Sequence, residues 1–185
     1  YMDKFPYIEH PENIALALKV CNSLGIDDKT ALKGMLKTTP DPGVLFIWDI
    51  LKDNNKNQFI SAFAANDPDS TIKVWKLVKD KSKNKKCIFL NTRDDRRYRT
   101  IQLIDLVYEN IKPDLFIVRG NNISSLMKKY HNDKIELKLF DMSSSQNDVV
   151  NYMINLNGYF IMGIGNIVGW GDNFLNHLKK YKVNG

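Results

Sequence analysis

The sequence predicts an α/β fold: a doubly wound, mainly parallel sheet with flanking helices, preceded by a short helical arm. Three observations carry this. Strand-like and helix-like segments alternate from residue 44 to residue 181. The runs Cys87-Ile-Phe-Leu90, Leu115-Phe-Ile-Val118 and Tyr159-Phe-Ile-Met-Gly163 are nearly all apolar, as strands covered on both faces must be. A break rich in proline and glycine, Thr39-Pro-Asp-Pro-Gly43, separates the alternating part from two helical segments before it.

Taken in order, residues 12–24 follow a helical pattern closed by Gly25, and residues 27–36 form a second short helix with Asp27 as its cap. The boundary between arm and domain is expected near residue 41. Residues 44–50 and 58–65 read as two strands joined by the polar stretch 52–57, a spacing that suggests a hairpin. Asp69 or Ser70 can cap the helix expected over 69–81, with Pro68 in its first turn. Strand 87–91, helix 96–111, strand 114–119, helix 122–131, strand 135–140, helix 146–156, strand 159–164 and helix 170–181 complete the pattern. Right-handed crossovers between such units give a Rossmann-like domain.

With 185 residues, 43% of them apolar, the chain can bury one normal core, and disorder is not expected. The formal charge is +6, from 27 basic and 21 acidic residues, and much of the excess sits in Lys79–Lys86 and Lys179–Lys182. These runs suit solvated helix ends, or attraction to nucleotides or another anionic partner. Nucleic acid is not expected, because the basic residues are scattered and no nucleic-acid motif is present. Cys21 and Cys87 lie in apolar runs and read as small buried hydrophobes, which fits a reducing cytoplasm. The chain starts at Tyr1 rather than Met, which suggests a piece of a longer protein.

In open α/β sheets ligands bind beyond the carboxyl ends of the strands. The loops on that edge carry Asn66, Asp67, Asp69, Arg93, Asp95, Arg96, Arg99, Asn121, Ser143 and Asn166. Arg93-Asp-Asp-Arg-Arg-Tyr-Arg99 holds four arginines and two aspartates. Guanidinium groups bind phosphate and carboxylate in paired, planar fashion, so this loop points to a nucleotide or acidic ligand; internal salt bridges at a helix start are the alternative. Asn66-Asp67 suits ribose, amine or water-mediated metal contacts, or turn and cap chemistry. Gly163-Ile-Gly-Asn-Ile-Val-Gly169 permits close backbone approach to a ligand, or is a tight turn. There is no P-loop, no HExxH and no assignable Ser/His/Asp set. His10, His131 and His177 are far apart in sequence, and Trp48, Trp75 and Trp170 read as packing. No metal site is assigned to the segment.

Five segments, in order, resemble the C-terminal half of bacterial poly-γ-glutamate synthases, ATP-dependent enzymes related to Mur ligases and folylpolyglutamate synthase. They are Pro11-Glu-Asn-Ile-Ala-Leu-Ala-Leu18, Gly34-Met-Leu36 with Pro40-Asp-Pro-Gly43, Phe63-Ala-Ala-Asn-Asp-Pro-Asp-Ser-Thr71, Asn91-Thr-Arg-Asp-Asp-Arg96 with Arg99-Thr100, and Gly163–Gly169. The resemblance implies that residues 1–40 are the helical tail of a central ATP-binding domain, and that residues 41–185 form a C-terminal domain closing over ATP and the incoming amino acid. It implies nucleotide contacts for Asn13, Asn66, Asp67, Asp95 and Arg96, and places Gly165 and Asn166 beside the amino-acid pocket; Arg93 and Arg99 of the arginine-rich loop are expected to contact the polyanionic substrates. ATP and Mg²⁺ are the implied cofactors of the full-length enzyme. Its implied partners are glutamate and the growing poly-γ-glutamate chain, a P-loop domain outside this segment, and small membrane subunits at the inner face of the cell membrane.

The sequence departs from the family pattern in places. Ala64-Ala-Asn66 stands where Mur ligases have Tyr-Ala-His, and Gly163-Ile-Gly-Asn-Ile167 stands where they have Gly-Lys-Gly-His-Glu, so a basic contact is absent there. His10 does not match the family histidine and is not carried over. Two other readings stay open. One is a stand-alone binding module for a nucleotide or acidic ligand. The other is an interaction domain that docks on a membrane complex through helix 170–181.

Overall fold

The structure is a computed structural model that describes residue 5, residues 11–38, residue 45 and residues 47–130 and 134–183. The break at Thr39–Gly43, His10 and His131 lie outside the described residues. The chain divides into two compact units, Tyr1–Phe46 and Ile47–Gly185.

In the first unit, α1 (Pro11–Ser23) is followed by α2 (Asp28–Met35). Gly25, at φ +80°, ends α1, and the next amide, from Ile26, returns to the Cys21 carbonyl at 3.0 Å. Asp27 caps α2 as expected, accepting from the Thr30 amide at 3.0 Å and the Thr30 hydroxyl at 2.7 Å. Cys21 is only half-buried, which corrects the expectation of a buried thiol; Cys87 is buried, and both are free.

The second unit opens with an antiparallel hairpin, β1 (Ile47–Lys52) and β2 (Asn55–Ser61). The turn is only Asp53-Asn54, with Asp53 at φ +52°, so β2 starts three residues before the expected Gln58. Asn57 explains the difference. It is polar and reads as loop, yet it is 1% exposed. Its Oδ1 accepts from the Tyr159 amide at 3.0 Å, and its Nδ2 donates to the Leu156 carbonyl at 2.6 Å. The buried side chain therefore satisfies backbone groups of the turn that leads into β6. β2 also ends earlier than expected, at Ser61, where the chain leaves for the next helix.

That helix, α3 (Pro68–Val78), is capped by Asp67 rather than by Asp69 or Ser70. The Asp67 carboxylate accepts from the Ser70 amide at 3.0 Å. Pro68 is the cause: it occupies the first turn and holds its predecessor extended, at φ −125° and ψ 161°, which is the cap conformation. Next come β3 (Lys85–Asn91), α4 (Arg97–Leu106), β4 (Leu115–Arg119), α5 (Ile123–Met127) and β5 (Glu136–Phe140). They are followed by α6 (Gln146–Ile154), β6 (Tyr159–Gly165) and α7 (Trp170–Leu178). α4 runs on into a π turn over Val107–Ile111. α5 is shorter than the expected 122–131: it starts after the left-handed Asn122 (φ +48°) and ends at Met127.

The sheet order is β1-β2-β6-β3-β4-β5, parallel except for β1. This is the expected doubly wound, mainly parallel sheet. The connections β2→β3, β3→β4 and β4→β5 run one way across it, and β5→β6 runs back. With right-handed crossovers, α3, α4 and α5 cover one face and α6 the other, where α7 packs against it. The reversal falls between the neighbours β3 and β6. On the α7 face, Phe59, Phe89 and Phe174 are wholly buried, with the Phe89 and Phe174 centroids 4.9 Å apart. Gly163 is required there, because a Cβ would lie 2.7 Å from Phe63 and 2.8 Å from Phe59.

Two outcomes follow from this packing. Asn57→Leu removes the side-chain partner of the part-buried Tyr159 amide and should lower unfolding free energy by about 1–3 kcal/mol, read by urea denaturation. Gly165→Ala should cost about 2–4 kcal/mol, because φ is +93° there and a Cβ would sit 2.4 Å from the Asn91 carbonyl oxygen. An unchanged midpoint for either variant would contradict the corresponding account.

Candidate functional site

The β3–β6 reversal opens a crevice of about 180 Å³ beyond the carboxyl ends of these strands. Its polar wall is Asn66, Arg93, Arg96, Arg99, Gly165 and Asn166, and Phe63, Leu90 and Leu103 give it an apolar floor. Six residues named from the sequence thus meet in one place although they span a hundred positions. Arg99 donates from Nη1 to Asn66 Oδ1 at 3.3 Å, which joins the loop after β2 to the start of α4. Arg93 pairs with Asp95 at 2.7 Å, with both side chains about half exposed. Asp67 caps α3, and the Ser70 hydrogen bonds hold its carboxyl below the usual range, with a smaller contribution from the nearby Arg99. Asn13 is an exposed residue of α1 in the first unit.

A second cavity, of about 130 Å³, shares Thr92, Arg93 and Thr100 with the first and is closed by Asp94, Arg97 and Asn121. Asn121 donates to Asp94 at 3.4 Å. Ser143 and Asp69 do not line either cavity. Ser143 instead donates, through its amide and hydroxyl, to Asp141 at 2.8 and 2.6 Å.

The start of α4 is electrostatically unusual. Arg96 occupies the cap position with no side-chain cap bond, and the first turn of α4 holds Arg97 and Arg99 and no acid, although the 3-10 turn Asp94–Arg96 that leads into it carries Asp94 and Asp95. Cations near a helix N-terminus oppose the helix dipole, by about 0.3–1 kcal/mol each. The free N–H groups and dipole there favour an anion. Arg96 and Arg97 make no ion pair with any described residue. An arginine cluster at an uncapped helix start, facing a crevice, is therefore complementary to phosphate or carboxylate.

Three residues that shape the crevice were not singled out from the sequence. Asn91, the last residue of β3, donates from Nδ2 to the Asn166 carbonyl at 2.7 Å. Arg119, the last residue of β4, is 3% exposed and donates from Nη1 to Asn91 Oδ1 at 3.1 Å. Trp170, read as packing, lies under the Arg119 guanidinium, with 4.0 Å from Cζ to the ring centroid, and donates from Nε1 to the Ser144 carbonyl at 3.2 Å. The available signal was positional: each stands at the end of a strand or the start of a helix on the ligand-binding edge.

His177 is half-buried and shares a 2.6 Å hydrogen bond with Asn147. Among the described residues no group of three or more His, Cys, Asp or Glu is arranged to hold a metal ion, and no helix is long and apolar enough to cross a membrane.

Residues 47–181 match the family described as the poly-gamma-glutamate synthase CapB C-terminal domain. The chain is similar to PGA synthase CapB of Bacillus subtilis (strain 168), with 35% identity over 188 residues, 99% of this chain and 48% of that protein. It is also similar to the capsule biosynthesis protein CapB of Bacillus anthracis, with 30% identity over 191 residues, 99% of this chain and 40% of that protein. The chain therefore spans less than half the length of these curated relatives. Among solved structures, MurF from Acinetobacter baumannii superposes with a TM-score of 0.68 at 16% identity, over 94% of this chain and 39% of that one. Folylpolyglutamate synthase from Thermotoga maritima gives 0.62 at 18% identity, over 96% and 41%. At such identities the likeness is one of fold. The Mur-ligase-like sheet and the match over residues 47–181 together mean that the chain belongs to the poly-gamma-glutamate synthase CapB family, through its C-terminal domain.

Proposed function

We propose that the chain is the C-terminal domain of an ATP-dependent ligase that polymerises glutamate through γ-linkages. In this reading residues 1–40 are the tail of the central ATP-binding domain and residues 41–185 close over nucleotide and incoming glutamate. The observation that carries it is the uncapped, arginine-bearing start of α4 on the crevice between β3 and β6. The substrates, ATP, glutamate and a polyglutamate chain, are all anions. ATP supplies the phosphoryl group that converts the terminal γ-carboxylate to an acyl phosphate. The α-amine of the next glutamate then attacks that carbonyl, and phosphate leaves.

The chain's own residues contribute positioning and charge. Arg96 and Asn66 hold the nucleotide on the α4 side, beside Asp67, which caps α3, and Asp95, which pairs with Arg93; Asn13 of the tail segment is a separate nucleotide contact of the first unit. Arg93 and Arg99 bind carboxylates of the glutamate and of the growing chain. Gly165 and Asn166 offer close backbone approach on the opposite wall. The P-loop and the Mg²⁺ ligands are assigned to the rest of the full-length enzyme. That enzyme works with small membrane subunits at the inner face of the cell membrane.

Two measurements test this. In the full-length enzyme, Arg96→Ala should reduce kcat/KM for ATP by about 5- to 150-fold, the equivalent of about 1–3 kcal/mol, with an unchanged melting temperature. Native kinetics in a folded variant would remove Arg96 from the site. The isolated 185 residues should bind ATP weakly and form no polymer; ATP-dependent glutamate polymerisation by this chain alone would refute its role as a partial site.

A further inference from the structure

Arg119 is the least expected residue of the second unit. It is a cation, 3% exposed, and among the described residues no carboxylate lies within ion-pair distance of it. Burial pushes its pKa down, and the charges of Asp141 and Asp94 only partly oppose this. Its Nε is buried without an acceptor among the described residues. Buried charges of this kind are expensive, and a residue needed only for packing would be an apolar one of similar length.

What the guanidinium does is fix its neighbours. An arginine can only donate. Because Nη1 points at Asn91, the Asn91 amide must turn its oxygen toward Arg119, at 3.1 Å. That leaves Nδ2 aimed at Asn166, whose carbonyl accepts at 2.7 Å, while the Asn166 amide donates to the Asn91 carbonyl at 2.8 Å. A reversed amide would set two donors face to face and two acceptors face to face. The flat face of the same guanidinium covers Trp170, which opens α7. The segment between these points, Gly165 to Gly169, is thus held near both ends by one side chain: through Asn91 at Asn166, and directly at Trp170. Gly165, Asn166, Ile167 and Val168 of that segment line the crevice. Two further donations, from Nη2 to the Met142 carbonyl at 2.7 Å and from Nη1 to the Met142 Sδ at 3.5 Å, tie in the loop after β5.

We propose that Arg119 is a positioning residue, which sets the amide of Asn91 and seats Trp170 so that the Gly165–Gly169 loop is presented in one shape to the crevice ligand. The identity of that ligand rests on the reading above; the clamp itself does not.

The test uses the full-length protein with Arg119→Met, Arg119→Lys, Asn91→Leu and the double variant that combines Arg119→Met with Asn91→Leu. Asn91→Leu removes both the acceptor for Arg119 and the donor to Asn166 and adds no charge. Hydrogen exchange is followed in peptides covering 165–170 and, as a reference, 87–90. Arg119→Met and Asn91→Leu should each accelerate exchange in the loop by about tenfold while β3 stays protected, and the double variant should be no faster than the faster single one. Arg119→Lys, which keeps the charge but not the planar fork, should resemble Arg119→Met. If Arg119→Met does not fold, Arg119→Lys, alone and combined with Asn91→Leu, carries the same comparison. In the ATP-dependent reaction KM for glutamate or ATP should rise about tenfold with kcat within about twofold. Multiplicative effects of the two substitutions, or a uniform rise in exchange with native KM, would reduce Arg119 to a structural cation and overturn the proposal. A native protein that does not ligate glutamate would overturn the functional reading alone, since the exchange cycle decides Arg119 without it.

Discussion

The second unit depends on how one pair of strands ends. β3 and β6 are hydrogen-bonded neighbours, with Asn91 opposite Gly165, but the chain leaves them for opposite faces of the sheet. Where two strands part in this way, the backbone groups at their ends lose each other as partners and must find new ones or meet water. Here a side-chain amide and a positive φ meet the need together. Gly165, at φ +93°, turns the chain so that Asn166 can return its amide to the Asn91 carbonyl, and Asn91 reaches across to the carbonyl of Asn166. A Cβ at residue 165 would crowd the carbonyl that makes this possible. The crevice is what remains once those bonds are made.

The same reversal decides where charge accumulates. α4 follows β3 after residues 92–96, whose 3-10 turn carries Asp94 and Asp95; Arg93 and Arg96 of that connection and Arg99 of the first turn of α4 line the crevice, and Arg97 stands beside them. Of these four, Arg93 alone is paired with a carboxylate among the described residues, that of Asp95. Arg119 adds a buried cation behind the same wall. A surface that concentrates positive charge at the positive end of a helix is less stable than one with an acid in its place. The deficit is local and modest, and a bound anion removes it. Complementarity of this kind favours ligands carrying several negative charges over singly charged ones, since each guanidinium left without a partner retains its unfavourable position.

Most of the fold could be read from the residues because the parallel strands are nearly all apolar and the breaks between them are polar. Two misread element ends turn on single side chains, one acting at a distance and one locally. Asn57 looks like loop until Tyr159 and Leu156, a hundred residues on, are brought beside it. Asp67 reads as a ligand candidate, and its capping role follows only once Pro68 is seen to hold it extended. In the crevice, the arginine loop was legible because four like residues in seven need a reason. Asn91, Arg119 and Trp170 were not, because each looks ordinary alone: an asparagine after a strand, an arginine beside a glycine, a tryptophan in a helix. Their meaning is mutual, and it depends on strand order, which local patterning does not encode. Arg119 is the most deceptive of the three, since an arginine at a strand end reads as surface charge.

Partial exposure of the crevice bears on how such a domain can take part in amide ligation. Arg93 and its partner Asp95 are about half in water, so attraction to a bound anion is screened there, and a pair at the surface contributes little. The same groups become stronger when water is excluded, because the effective dielectric around them falls. In the proposed function, such a surface would bind anions weakly when open and tightly when covered. An acyl phosphate would also have to be kept from water until the amine arrives. One motion, the closing of this surface over the nucleotide, would meet both demands of that proposal. A rigid clamp on the Gly165–Gly169 loop serves that motion, because a wall that already has its final shape loses no further conformational freedom when the site closes.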